Sequence, residues 1–251
     1  MNLEEIVERI ATELLTIGLH PGGVVLVHSS YHALGPVPGG AETVVRGFLR
    51  ALGAEGTLLM PALSYNFVNV RQPLFDVRAT PSNVGYLPEY FRTRFGTLRS
   101  LHPTHSVCGV GARAALLLGQ HGKDITPCGE HSPFSRLREV AGQVCFLGCG
   151  LRPNTSMHAV EEHVVPPYLF GPDITFRLRE PNGREHEQLY HTHGFMGIQQ
   201  RYDRLADLLG PDALHTGHCL HAHTYILDAP PMWEAALTAL RGDPFALVDK
   251  D

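Results

Sequence analysis

Two short apolar runs, Val24-Val-Leu-Val-His28 and Thr57-Leu-Leu-Met60, enclose a turn-rich loop and one amphipathic stretch, and this order restricts the fold more than any other part of the chain. Each run is short and preceded by glycine, so each reads as a buried strand. The loop at 29–40 is followed by a predicted helix from about 40 to 52, with Val44, Val45, Phe48 and Leu49 facing inward. Strand, glycine-rich loop, helix and strand in this order is the signature of a βαβ unit. A third run, 144–147, ends at Gly148 and Gly150. It leads through a polar turn into a segment predicted to become helical at Asn154 or Thr155, both good capping residues.

The flanking pattern fits the same class. Leu3, Ile6, Ile10, Leu14 and Leu15 give residues 3–17 helical periodicity. Helices are also expected at 86–95, 112–118, 202–209 and 232–240, with a short one after the loop at 127–133, and 107–111 forms a second apolar segment. Residues 62–85 carry little periodicity; a loop of that length inside a compact domain is usually functional. Segments 174–180 and 186–191 alternate like strands around Pro181-Asn-Gly183, a strong hairpin signal. Residues 217–227 read as one further strand. Neither a linker nor an internal repeat interrupts the chain. The expected fold is therefore α/β, one compact unit over 1–251 with a central mixed sheet and a partly antiparallel C-terminal half.

Several function classes are disfavoured. The formal net charge is −5 and there is no Lys/Arg run, which argues against nucleic acid as a partner. No apolar run approaches the roughly 20 residues of a membrane span, and the acidic N-terminus does not resemble a signal peptide. Cys108, Cys145, Cys149 and Cys219 sit in apolar segments, so reduced thiols and a cytoplasmic location are expected. The 16 histidines group as His28/His32, His102/His105, His191/His193 and His215/His218/His221/His223. With no His-Glu-x-x-His and no Cys-x-x-Cys, most read as satisfied or surface residues. A metal-dependent hydrolase built on these groups stands as the alternative reading.

Three polar loops follow apolar segments, at 29–40, 99–106 and 154–161, and strand C-termini aligned in a sheet would bring them to one edge, where α/β proteins bind ligands. His158 and Glu161 are three apart and share a helix face. A histidine oriented by a carboxylate suits general-base work, because histidine titrates close to neutral pH. Ser29 and Ser30 offer hydroxyls, and Gly39-Gly40 offers backbone N–H groups at a helix start. Neither the dinucleotide fingerprint nor the phosphate-loop motif is present.

The motifs taken together resemble the aminoglycoside 3-N-acetyltransferase family. They are Leu26-Val-His-Ser-Ser-Tyr-His-Ala-Leu-Gly-Pro-Val-Pro-Gly-Gly40, Arg99-Ser-x-His-Pro-x-x-Ser106, Gly129-Glu-x-Ser-Pro133, Thr155-x-x-His158-x-x-Glu161, His193-Gly-Phe195 and Tyr202-Asp203, in family order over most of the chain. The resemblance implies acetyl-CoA as co-substrate, with no metal expected, and an amine acceptor, an aminoglycoside or a similar amino compound. It implies that Ser29, Ser30, Arg99, His102, Ser106 and Ser132 line the donor side, and that His158, with Thr155 and Glu161, carries catalysis. It leaves a homodimer open. The N-terminal half would bind the donor and the C-terminal half complete the acceptor side. Val160 and the second acid, Glu162, depart from the family pattern around Glu161. Ser30 or a neighbouring backbone N–H would hold the oxyanion, and Glu161, Glu162 and Asp203 are candidate carboxylates for a cationic acceptor. An acyl-enzyme on Cys108 or Cys149 is disfavoured by their apolar surroundings. A non-catalytic CoA-binding protein is disfavoured by the intact His158 element.

Overall fold

The computed structural model describes residues 2–250. Its helices are α1 (Leu3–Ile17), α2 (Gly40–Leu52), α3 (Tyr86–Arg94), α4 (Ala114–Leu118), α5 (Pro133–Arg136), α6 (Ser156–Val164), α7 (Leu205–Leu208) and α8 (Ala229–Gly242). Its strands are β1 (Val24–Ser29), β2 (Thr57–Pro61), β3 (Leu74–Asp76), β4 (Leu98–Arg99), β5 (Val107–Gly111), β6 (Gln143–Leu147), β7 (Phe170–Arg179), β8 (Glu185–His193), β9 (Ile198–Gln200), β10 (Leu214–Cys219), β11 (Ala222–Asp228) and β12 (Val248–Lys250).

The βαβ unit sits at the centre. β1 pairs in parallel with β2 on one side and β6 on the other, and antiparallel strands extend the sheet in both directions to give the order β10-β11-β6-β1-β2-β5-β4. Side chains on a strand alternate between faces, and here that alternation builds two cores. Val24 and Leu26 join Val144 and Phe146 under α6 and α8. Val25 and Val27 join Cys145 and Leu147 under α1 and α2. Both faces of the sheet are thus covered, which is why its central strands are apolar throughout. A smaller sheet, β3-β7-β8, packs around Phe75, Phe176, Leu178 and Tyr190. Among the described residues no helix is long and apolar enough to cross a membrane.

The expected mixed α/β class and antiparallel C-terminal half are present, and several boundaries differ. Residues 217–227 are not one strand: β10 and β11 form a hairpin that reverses at Leu220, whose φ is 52°. No Asn-Gly or Gly-Gly pair marks this reversal, so pattern alone runs the two strands together. Helix 202–209 is a 3-10 turn, Tyr202–Arg204, followed by the single turn of α7. Residues 62–85 are not wholly irregular, because β3 pairs in parallel with β7. β7 begins at Phe170, where exposed or half-buried residues carry no alternation to read. α8 begins at Ala229 because Pro230 and Pro231 lie in its first turn, where the missing N–H groups are harmless.

α1 and α2 approach closely at Gly47, where a Cβ would lie 2.4 Å from Ile10 Cγ2. Gly47→Ala should destabilise the fold by about 1–3 kcal/mol, because an overpacked contact forces backbone or rotamer shifts. Urea unfolding checks this; a midpoint at or above that of the parent would show that the two helices separate freely.

Candidate active site

The parallel centre of the sheet puts the C-terminal ends of β1 and β6 side by side, with Ser29 opposite Leu147. A cavity of about 650 Å³ opens beyond this edge. Ser29, Thr155 and His158 line it, as do His28, His105, His193 and Tyr202. α6 starts at this edge with Thr155 as its cap residue, and the backbone N–H of Ser156 donates to Asn154 Oδ1 at 3.2 Å.

One turn into α6, His158 Nδ1 lies 2.9 Å from Glu161 Oε2. Glu161 is fully buried. Its carboxylate accepts from the Tyr202 hydroxyl at 2.9 Å and from the Tyr168 hydroxyl at 3.0 Å, and Tyr202 Oη also lies 3.0 Å from His158 Nδ1. A buried carboxylate is tolerable only when its oxygens are hydrogen-bonded, and donors reach both. Glu161 acts on any ligand through His158: it fixes the tautomer with Nδ1–H directed at the carboxylate, leaving Nε2 as the basic nitrogen. This is the arrangement general-base chemistry needs.

The other predicted residues divide. Arg99 does not line the cavity: Nε donates to Ser106 Oγ at 2.8 Å, and its terminal nitrogens donate to the carbonyls of Ala62, Val77 and Thr80 while the guanidinium lies over Phe75. Burial lowers its pKa to about 10. It ties residues 62–80 to the sheet instead of facing a phosphate. Ser106 completes that tie by donating to the Ala62 carbonyl at 2.8 Å. Ser132 is fully buried, and its Oγ caps α5 by accepting from Ser135 N at 3.1 Å. Ser30 spends its backbone N–H on the Leu147 carbonyl at 2.9 Å, so that N–H is not open to an oxyanion. Ser29 Oγ, by contrast, has no hydrogen-bond partner.

His102 is buried away from the cavity, stacked on His121 at 4.9 Å between ring centroids. Its Nδ1 accepts from the backbone of His105 at 2.9 Å and of Thr104 at 3.3 Å. His102 therefore shapes the turn that presents His105, and His105 is the residue of this pair at the cavity. His105 and His193 have no role assigned by sequence spacing. The signal for them is the His102/His105 and His193-Gly-Phe195 motifs, and only folding shows which side chains face the site. Their rings lie 5.3 Å apart, and His158 lies 5.1 Å from His193. His193 Nε2 lies 2.7 Å from Glu162 Oε1. Burial lowers the pKa of His102, His105 and His193 well below the ordinary value.

Glu162 also accepts from Cys128 N at 2.7 Å, and burial raises its pKa to about 7. Glu161 and Glu162 both lie behind histidines, and Asp203 is bound by Arg201 at 2.9 Å. Among the described residues no Asp or Glu lines the cavity, so these three do not form an acidic acceptor pocket. Burial raises Cys108 to about 11 and Cys149 to about 12, which keeps these two as thiols and disfavours either as an acyl-enzyme nucleophile.

Comparison with known proteins bears on the family and the fold. A family model described as aminoglycoside 3-N-acetyltransferase matches residues 26–241. Aminoglycoside N(3)-acetyltransferase IX of Micromonospora chalcea is 28% identical over 91% of this chain and 91% of its own. The crystal structure of aminoglycoside acetyltransferase AAC(3)-Xa superposes with a TM-score of 0.83 at 25% identity, over 93% of this chain and 92% of that one. That of a histidine-to-alanine mutant of AAC(3)-IVa in complex with a gentamicin does so with a TM-score of 0.81 at 26% identity, over 95% and 89%.

The buried histidines make acid stability a direct test. Burial lowers His28 to about 3 and His121 to about 4, against about 6.5 in an unfolded chain. The unfolded state therefore binds more protons below pH 6.5. Stability is full above that pH and falls as pH drops toward 3, by up to about 1.4 kcal/mol per histidine per pH unit. His102, His105 and His193 act in the same direction. Glu162, with its raised pKa, acts oppositely from about pH 7 down to its unfolded value, but it is one group against several. The thermal midpoint should drop steeply between pH 6.5 and 4.5; a flat profile there would mean that these histidines are solvated.

Proposed function

Because the chain belongs to the aminoglycoside 3-N-acetyltransferase family, we propose that it transfers the acetyl group of acetyl-CoA directly to an amine of an aminoglycoside or similar amino compound, with His158 as general base. The observation that carries this reading is the His158–Glu161 pair, held by two tyrosines and turned toward the cavity at the sheet edge. The neutral amine attacks the thioester carbonyl carbon, and its proton passes to His158 Nε2. The tetrahedral oxyanion collapses, the C–S bond breaks, and CoA departs as the thiolate, which takes the proton from His158. Ser29 lines the cavity with its hydroxyl buried and unpartnered, so a turn of that side chain toward the cavity would supply an oxyanion donor. The loops of the N-terminal half receive the pantetheine arm, and the C-terminal half, with Phe195 and Tyr202, bounds the acceptor side. Acetylation removes the charge of one ammonium group, and for an antibiotic acceptor that change would confer resistance. Five free cysteines suit a reducing cytoplasm.

A thiol-release assay with acetyl-CoA across aminoglycosides and simple amines tests the reading; no release with any of them would sink it. His158→Ala should lower kcat by about 10²–10⁴ while acetyl-CoA affinity stays within a few-fold, since a general base acts mainly in the transition state. Raising the pH should restore part of the rate, because more of the amine is then already deprotonated. Full turnover by the variant would assign the proton to another route.

The carboxylate-free lining leads to a separate expectation. Acceptor affinity should change little between low and physiological salt, because exposed charge attraction is what salt screens. A steep loss with salt would place acidic groups beyond the cavity rim in contact with the acceptor.

A further inference from the structure

His105, His158 and His193 come from three separate segments: the loop before β5, helix α6 and the end of β8. One ring nitrogen from each lies within 4.8 Å of the other two. Each ring is also held from behind. His158 Nδ1 faces Glu161 Oε2 at 2.9 Å, His193 Nε2 faces Glu162 Oε1 at 2.7 Å, and His105 Nδ1 faces Thr104 Oγ1 at 2.8 Å. The opposite nitrogens make no hydrogen bond; among them, His193 Nδ1 is buried without a partner. Histidine ligands of metals are held in this way, with one ring N–H on a carboxylate or oxygen and the other nitrogen free to coordinate.

We propose that His105, His158 and His193 bind a divalent transition-metal ion of the Zn²⁺ type, and that the bound ion inhibits acetyl transfer by occupying the nitrogen of His158 that accepts the amine proton. The inhibitory half of this inference rests on the function proposed above; the binding half does not. Imidazole nitrogens suit Zn²⁺, and three of them with a fourth position open is a ligand set that zinc accepts. Zn–N bonds of about 2.0–2.1 Å put tetrahedral ligands roughly 3.4 Å apart, so small ring rotations close the site. The cavity leaves room for water in the fourth position. No proton has to leave the three rings, provided His105 takes the tautomer with Nδ1–H on Thr104.

The test uses the full, untagged chain, stripped with a chelator and then freed of it. Zn²⁺ is titrated against a chromophoric chelator. One ion per chain is expected at micromolar affinity or tighter, with binding at least tenfold weaker in His105→Gln and in His193→Gln. Circular dichroism checks that both variants are folded. His218→Gln, at a surface pair with His223, should bind as the parent does. Co²⁺ in the parent protein should give the intense visible bands of a tetrahedral site, a readout that needs no variant. Acetylated product, followed by mass spectrometry so that metal–thiol chemistry does not interfere, should fall at least tenfold under saturating Zn²⁺ and return with EDTA. No binding at ten equivalents, binding unchanged in both His variants, or a weak octahedral Co²⁺ spectrum would each overturn the site. Zn²⁺ that binds while turnover is unchanged or faster would overturn inhibition. Zn²⁺ bound by the three histidines in a chain that acetylates nothing would uphold the site and overturn the function proposed above.

Discussion

Glu161 is a carboxylate with no contact with solvent, and the arrangement of the site follows from satisfying it. A buried charge left unpaired would cost several kcal/mol. Its donors come from His158 on the same helix, Tyr168 after that helix and Tyr202 more than thirty residues later. Meeting this one requirement therefore pins α6, the chain leading into β7 and the turn before α7 to one another. Two of these segments also line the cavity, through Thr155 and His158 at α6 and through Tyr202 in the turn before α7. Removing Tyr168 would leave Oε1 unpaired, and removing Tyr202 would take away the hydroxyl that touches both Oε2 and the ring of His158.

A second tie acts on the other side of the cavity. Residues 62–80 bury Val68, Phe75 and Val77 in the small cluster against β7 and β8 and pair with β7 only over Leu74–Asp76. Arg99 adds a polar anchor with hydrogen bonds to three of their carbonyls, and Ser106 adds one more to Ala62. His102 plays a similar part for the turn at 104–105. Polar residues in a motif beside a cavity can thus serve the backbone that forms its wall.

This division explains what could be read from the sequence. The unbroken apolar runs Val24–Val27 and Val144–Leu147 announce buried strands, and the structure uses their two faces to build two cores. The spacing from Thr155 to Glu161 announces the histidine–carboxylate face because both groups lie on one helix turn. The assembly of His105 with His193 is different. It depends on β8 returning to the sheet edge and on which way a turn points its rings, and neither has a local period. The same applies to Arg99, whose carbonyl partners lie nearly twenty to nearly forty residues away. Sequence spacing identifies it as a charged residue near the site, but burial decides that its charge is spent on carbonyls. The reversal at Leu220 is hidden for a simpler reason, since no glycine stands at its positive φ.

The adjacent acids on α6 have separate duties. Consecutive positions on a helix differ in direction by about 100°, so Glu161 and Glu162 cannot serve the same ring. Glu161 turns inward to His158 and the tyrosines, and Glu162 turns toward His193 and the backbone of Cys128. Val160 packs into the core beneath them. Two acids hold two rings from different elements, and the second turn of α6 thereby positions both His158 and its neighbour His193.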